Sequence, residues 1–197
     1  MKHLGKPFFN RDTIEVARDL LGCLLVHNIG DIRLIGRIVE TEAYDGPRDR
    51  ASHASRRRTP RNEIMFGPAG YIYVYLIYGM YHCLNLVTGP RNYPAAVLIR
   101  ALEPVEGIEE STQGPGRLCR AMKIDLEMNK TDATTGSLFV ARSKLKTPRI
   151  VASPRIGVDY AGEWAEKPYR FHVDGNQWVS KRPAKKKKGR SKKTALS

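Results

Sequence analysis

The stretch VETEAYDGPRDRASH, residues 39–53, gathers Glu40, Glu42, Tyr44 and His53 in a chain whose formal net charge is +14. A carboxylate can take a proton from water, a tyrosine offers a π face and a hydroxyl, and an imidazole offers a hydrogen-bonding edge. On a strand, residues two apart share a face, so Glu40, Glu42 and Tyr44 point one way and Val39, Thr41 and Ala43 the other. An isolated glutamate is usually an ordinary surface residue. An acid beside a phosphate-binding surface repels its ligand, however, so Glu42 in a basic, aromatic setting points to general-base work on a water. Tyr44 and His53, each alone more often core than site, would together supply the π face and the polar edge around a ligand.

Tyrosines recur at 75, 78 and 81 in AGYIYVYLIYGMYHCLNLVTG, a three-residue spacing that no regular strand face explains. Tyr78, beside Gly79, is the one expected to project from a turn. An aromatic ring at a hairpin tip can wedge into a base stack. A buried tyrosine ladder is the plainer reading, and the residues alone leave both open.

Charge narrows the class of partner. Of 34 Lys and Arg, nine lie in KRPAKKKKGRSKK, residues 181–193, and no acid follows Asp174. That tail has too few apolar residues to order itself and is expected to be disordered. A second basic run, SRRRTPRN, residues 55–62, follows His53 inside the folded part of the chain. Two basic segments, one of them beside the candidate chemistry, favour a polyanion.

Several classes are disfavoured. The sequence has no Gly-x-Gly-x-x-Gly after a strand, no Walker loop, no Gly-x-Ser-x-Gly and no His-Glu-x-x-His, and its five histidines are far apart. Neither a cofactor nor a metal is expected. Three cysteines without a Cys-x-x-Cys pair suggest neither a disulfide framework nor a thiolate zinc site. No signal peptide or membrane-spanning stretch is apparent, so an intracellular protein with no membrane partner is expected. One metal reading stays open at this point: a nuclease holding Mg²⁺ on Glu40, Glu42, Asp45 and Asp49.

The elements that would position these residues follow from local pattern. Asp12 before TIEVARDLLG predicts a capped helix, and CLLVHNIGDIRLIGRIVETEAY a β-hairpin whose second strand delivers Glu42 and Tyr44. Residues 45–68 are rich in Gly, Pro and Arg and predict a long ordered loop of the kind that usually carries function. Strands are expected around Tyr71–Val87, Ala95–Pro104, SLFVARS and RFHVDG, with GRLCRAMKI helical and SPRIGVDYAGEW a loop.

Taken together and in order, VETEAYDGPRDRASH, TPRN, YVYLIYGMYHCLN, LIRALEP and SPRIGVDYAGEW resemble the alkyladenine (3-methyladenine) DNA glycosylase family from about Asn10 to Val179. That family flips alkylated or deaminated purines, such as 3-methyladenine, 7-methylguanine, hypoxanthine and ethenoadenine, out of double-stranded DNA and hydrolyses the N-glycosidic bond. The resemblance implies that Glu42 deprotonates the attacking water. It places Tyr44 on one face of the flipped base, Tyr75 on the other, and His53 and the main chain of Ala51 at the edge. Asn85 would crowd the exocyclic amino group of guanine, and Tyr78 would enter the duplex. Arg100 would lie near the target's backbone, with Met80, Leu98 and Ile156 in support. No lysine falls at the matched catalytic positions, which argues for a monofunctional enzyme that leaves the strand unbroken.

The expected fold is α+β: a single compact domain over residues 1–180, with a mixed, mainly antiparallel curved sheet flanked by helices, and a disordered lysine-rich tail over 181–197. The expected partner is double-stranded DNA containing damaged purines, bound by a monomer. A non-catalytic nucleic-acid-binding module on the same scaffold is the alternative, and retained binding without base release would mark it.

Overall fold

The computed structural model describes residues 1–145 and 149–180. The expected tail lies outside the described residues. Near the start, one turn of helix, α1 (Lys6–Phe9), buries Phe9; four residues are too few to show a periodicity in sequence. The Asp12 carboxylate then accepts the Glu15 amide at 3.0 Å and caps α2 (Thr13–Asp19), which turns Val16 and Ala17 into the core.

Eight strands form one curled antiparallel sheet. They are β1 (Leu24–Ile29), β2 (Ile32–Tyr44), β3 (Ile72–Ile77), β4 (Tyr81–Val87), β5 (Ala96–Glu106), β6 (Leu138–Ala141), β7 (Ile150–Ser153) and β8 (Arg170–Val173). The main order is β3-β4-β5-β2-β1-β6, and β8 joins β2 to β7. The helix expected in GRLCRAMKI is α3 (Pro115–Ala121). The segment SPRIGVDYAGEW holds a 3₁₀ stretch, Asp159–Ala165, interrupted at Gly162, where a plain loop was expected. Strand β7 was not expected: it is a half-exposed edge with no clear alternation.

The long strand β2 organises the site. It pairs with β5 on one side, and on the other with β1 along its first half and with β8 at Glu40, Thr41 and Glu42. Irregularities in the β5 pairing fall beside Glu40, where a bulge bends a strand and re-aims its side chains. One face of β2 meets α2, where the Thr41 hydroxyl donates to the Ala17 carbonyl at 2.8 Å. The other face carries the two glutamates. Both faces of residues 38–43 are therefore buried, with Ile38 and Ala43 joining a core that includes Phe9, Leu20, Leu84, Ile99 and Phe171. No helix among the described residues is long and apolar enough to cross a membrane.

Candidate active site

Glu40 and Glu42 share a face of β2 and are both wholly buried. Both meet Arg100 of β5: its Nη1 lies 3.3 Å from Glu42 Oε1 and its Nε 3.4 Å from Glu40 Oε1. Burial alone would make Arg100 easier to deprotonate, but the charges of Glu42 and Glu40 outweigh it and raise its pKa. Beyond that shared arginine the two acids differ. Glu40 accepts from Arg170 Nε at 2.5 Å and from the Ser180 amide at 2.8 Å, which makes it a structural tie between β2, β8 and the last described residues. Glu42 accepts the Ile156 amide at 2.8 Å on Oε1 and the Tyr44 hydroxyl at 2.9 Å on Oε2. A carboxylate offers about four acceptor sites. Arg100, Ile156 and Tyr44 fill three of them.

In front of this network is a cavity of about 340 Å³. Tyr44, His53, Tyr75 and Asn85 line it, Ala51 contributes at one edge, and Leu98, Arg100 and Ile156 form the wall next to Glu42. Glu42 itself does not line the cavity; it lies behind that wall. Met80 does not line it either and stands 64% exposed on the neighbouring hairpin. The rings of His53 and Tyr75 meet edge to face at 4.5 Å, and Tyr73 lies 5.2 Å from Tyr75. The Asn85 amide nitrogen is committed to the main-chain carbonyls of Tyr73 and Cys83, at 3.1 and 3.3 Å, which leaves its oxygen as the group that can meet a ligand.

Protonation states follow from burial. Desolvation pushes the phenols of Tyr44 and Tyr75 well above their ordinary range and that of Tyr73 up to about 12, so all three keep their protons. His53 Nδ1 lies 3.0 Å from the Tyr73 hydroxyl; the residue is partly exposed, and the partial desolvation of its ring against the aromatic wall, then the Arg61 charge, lower the imidazole pKa. His53 is therefore a neutral edge at pH 7.

The loop that carries Ala51 and His53 is fixed by residues that sequence reasoning did not single out as its anchors. Asp49, wholly buried, accepts from Arg155 through both oxygens, at 2.5 and 2.9 Å, and from the amides of Asp45 and Ala51. Arg155 also donates to the carbonyls of Ala43 and Trp164. Its guanidinium carbon stands 4.8 Å from the centroid of the Tyr44 ring. Arg155 thus locks both the loop and one face of Tyr44. Asn62 of TPRN clamps the same loop by donating to the carbonyls of His53 and Arg57, each at 2.9 Å. Tyr160, whose hydroxyl lies 3.2 Å from the Ala51 carbonyl, is a further lining residue that no sequence signal marked.

These contacts overturn the Mg²⁺ reading. Arginines engage Glu40, Glu42 and Asp49, and Asp45 instead accepts from the Tyr93 hydroxyl at 3.2 Å. Positive charge already occupies the carboxylates that a cation would need. Among the described residues, no group of three or more His, Cys, Asp or Glu is placed to hold a metal ion.

The three spaced tyrosines have three different environments, so they are not a buried ladder. Tyr75 faces the cavity, Tyr81 is half exposed, and Tyr78 is 82% exposed in the β3–β4 turn. Tyr78 and Gly79 have φ of 54° and 69°, and the Met80 amide closes the turn on the Ile77 carbonyl at 3.2 Å. Two successive positive φ values suit the twist of a tight hairpin and demand a residue such as glycine. Gly79 meets that demand, while Tyr78 holds the same conformation at a cost of about 1–2 kcal/mol.

With this geometry in view, the family model described as methylpurine-DNA glycosylase matches residues 7–177. A protein of Anaeromyxobacter sp. strain Fw109-5 is 57% identical over 181 residues, covering 91% of this chain and 93% of its own. One from Legionella pneumophila strain Corby is 51% identical, with 92% of this chain and 100% of the relative covered. A third, from Methanocella arvoryzae, is 52% identical, covering 92% of this chain and 98% of its own. All three are assigned as 3-methyladenine DNA glycosylases.

Proposed function

The chain belongs to the methylpurine-DNA glycosylase family and is a DNA glycosylase, a hydrolase of base excision repair; from that premise we propose that it acts on alkylated and deaminated purines through a water that Glu42 activates. The base is flipped out of double-stranded DNA, the N-glycosidic bond is hydrolysed, and an abasic site is left in an unbroken strand. The position of Glu42 carries this reading: a buried carboxylate with about one acceptor site unfilled lies directly behind an aromatic cavity. Water takes that last site as the flipped nucleotide settles against Arg100 and Ile156. The C–N electron pair leaves with the base, which departs neutral when it is a cationic methylated purine and takes a proton from solvent when it is hypoxanthine or ethenoadenine; the Glu42 carboxylate favours the oxocarbenium-like sugar and then takes the proton of the water that attacks the sugar carbon.

Selectivity begins with stacking. A methylated purine carries positive charge, so lying between Tyr44 and Tyr75 adds roughly 0.5–2 kcal/mol that a normal base lacks. The Arg155 cation behind Tyr44 would oppose this, but Asp49 neutralises it through both oxygens. Beside the Asn85 oxygen hypoxanthine presents no exocyclic amino group, whereas guanine and 7-methylguanine must both fit one; what separates those two is the positive charge of 7-methylguanine, which strengthens stacking and weakens its glycosidic bond. A panel of identical duplexes, each with one 7-methylguanine, hypoxanthine, ethenoadenine or unmodified guanine, tests the reading by single-turnover base release. Damaged bases should be released and guanine retained. Equal rates across the panel would contradict it.

Two further outcomes are expected. Tyr78→Gly relieves a left-handed tyrosine, so thermal stability should hold or rise slightly, while base release from a paired lesion falls about ten-fold because the wedge that offsets unstacking by a few kcal/mol is gone. The loss should shrink when the lesion sits in a mismatch, where unstacking is easier, and full activity in the paired duplex would show that Tyr78 is no wedge. Protonation of His53 would set a positive charge beside a cationic base. Since its pKa lies below the ordinary imidazole value of about 6.5, the 7-methylguanine to hypoxanthine rate ratio should be flat near pH 7 and fall in more acid solution. In His53→Gln the ratio should not show that fall.

A further inference from the structure

A second hollow, of about 450 Å³, adjoins the base cavity and shares Tyr160 with it. Pro47, Arg48, Arg50, Ser55, Arg56 and Tyr160 line it. From these residues we infer that the hollow is a seat for one internucleotide phosphate of the strand whose base enters the cavity; this rests on the glycosylase reading only in taking DNA as the partner.

The arginines between residues 48 and 61 differ in their partners, and Arg57, exposed and outside the hollow, takes no part. Arg58 pairs with Glu63, and Arg61 donates to the Leu76 carbonyl at 2.8 Å and covers the Tyr75 ring. Those two are tied into the fold. Arg48, Arg50 and Arg56 are exposed and, among the described residues, make no ion pair, yet they converge on one hollow. Three like charges so gathered repel one another unless an anion joins them. The nearest acid in sequence, Asp49, does not serve, because it turns inward between Arg48 and Arg50 and is bound through both oxygens by Arg155. The buried Asp49–Arg155 pair therefore also sets the outward aim of the flanking arginines. Ser55 adds a hydroxyl, and guanidinium forks match the oxygens of a phosphate.

Position chooses between sources of phosphate. Tyr160 is 67% exposed and lines both spaces, so an anion in the hollow lies beside the mouth through which a flipped nucleotide must pass. A phosphate flanking that nucleotide is the group a bound strand would present there. Held in place, it would fix the register of the strand and carry no sequence preference of its own.

The test is a methylphosphonate scan: duplexes carrying one hypoxanthine at a fixed position, its sugar 2′-fluorinated so that the base stays on, in which one linkage at a time is made neutral, bound by the full-length protein and by Arg48→Gln/Arg56→Gln. Wild type should lose about ten-fold in affinity at one particular linkage, and the double variant should be indifferent to that linkage. Its log affinity against log salt slope should also be shallower by about 0.9, the share of one phosphate. Unchanged affinity and slope in the variant would overturn the inference. So would a variant that is weaker everywhere but as sensitive as wild type at every linkage, since that describes diffuse charge. If inorganic phosphate competes better than chloride at equal ionic strength while no linkage stands out, the hollow takes free anions and the assignment to the strand fails. Binding to this uncleavable duplex is scored apart from base release, so a protein that excises nothing would sink the proposed reaction without touching this result.

Discussion

Glu42→Gln is expected to bind a lesion-containing duplex about as tightly as wild type and to release the base about 10³-fold more slowly, within the range set by loss of a general base. The substitution keeps the shape and one acceptor oxygen for the Ile156 amide, and Arg100 retains Glu40 as a partner. What it removes is the negative charge and the basic oxygen beside the remaining acceptor site. Tyr44, Tyr75 and Asn85 still form the cavity, and the phosphate-facing arginines are untouched, which is why binding should persist. Single-turnover release measured beside equilibrium binding separates the two effects. A variant as fast as wild type would mean that Glu42 does not activate the water, whatever its place behind the cavity.

Arg155→Met is expected to lower stability by about 3–5 kcal/mol, because it leaves the Asp49 carboxylate buried without its cation. For a chain of this length that is a melting point lower by roughly 10 °C. Arg155 joins Asp49, the Ala43 and Trp164 carbonyls and the face of Tyr44, so the loss extends from the loop to the cavity wall. Adding Asp49→Asn should restore part of the stability, since the unpaired charge is then gone; the two effects should be far from additive. Equal melting points for wild type and Arg155→Met would contradict the role given to this pair, and a double variant worse than the sum of the singles would contradict the coupling.

The parts of this site that could be seen in the sequence are those set by local rules. Alternation along β2 placed Glu42 beside Tyr44, and the hydroxyl-to-carboxylate bond at 2.9 Å follows from that spacing. The Tyr78–Gly79 pair announced a turn, because a glycine in that context supplies the positive φ a tight hairpin needs. The hidden parts depend on contacts across the chain. Glu40 and Glu42 are buried because β8, far along the sequence, pairs with β2 and brings Arg170, while β5 brings Arg100. Nothing local distinguishes such an acid from a surface one. In sequence Asp49 reads as a metal ligand for the same reason: its partner Arg155 lies 106 residues away, and no pattern within the loop names it. Strand β7 and the hollow at Arg48, Arg50 and Arg56 likewise exist only once the sheet has curled and the loop is pinned.

Everything proposed for Glu42 and the cavity in front of it comes down to hydrolysis of the bond between a damaged purine and its sugar. The most direct measurement is incubation of the wild-type protein in EDTA with a duplex carrying one ethenoadenine or hypoxanthine, followed by chromatography of the free base and electrophoresis of the strand before and after alkali. Free base should appear in EDTA, and the strand should stay whole until alkali cleaves it at the lesion. Tight binding with no free base, or a strand nicked at the lesion before alkali, would contradict it.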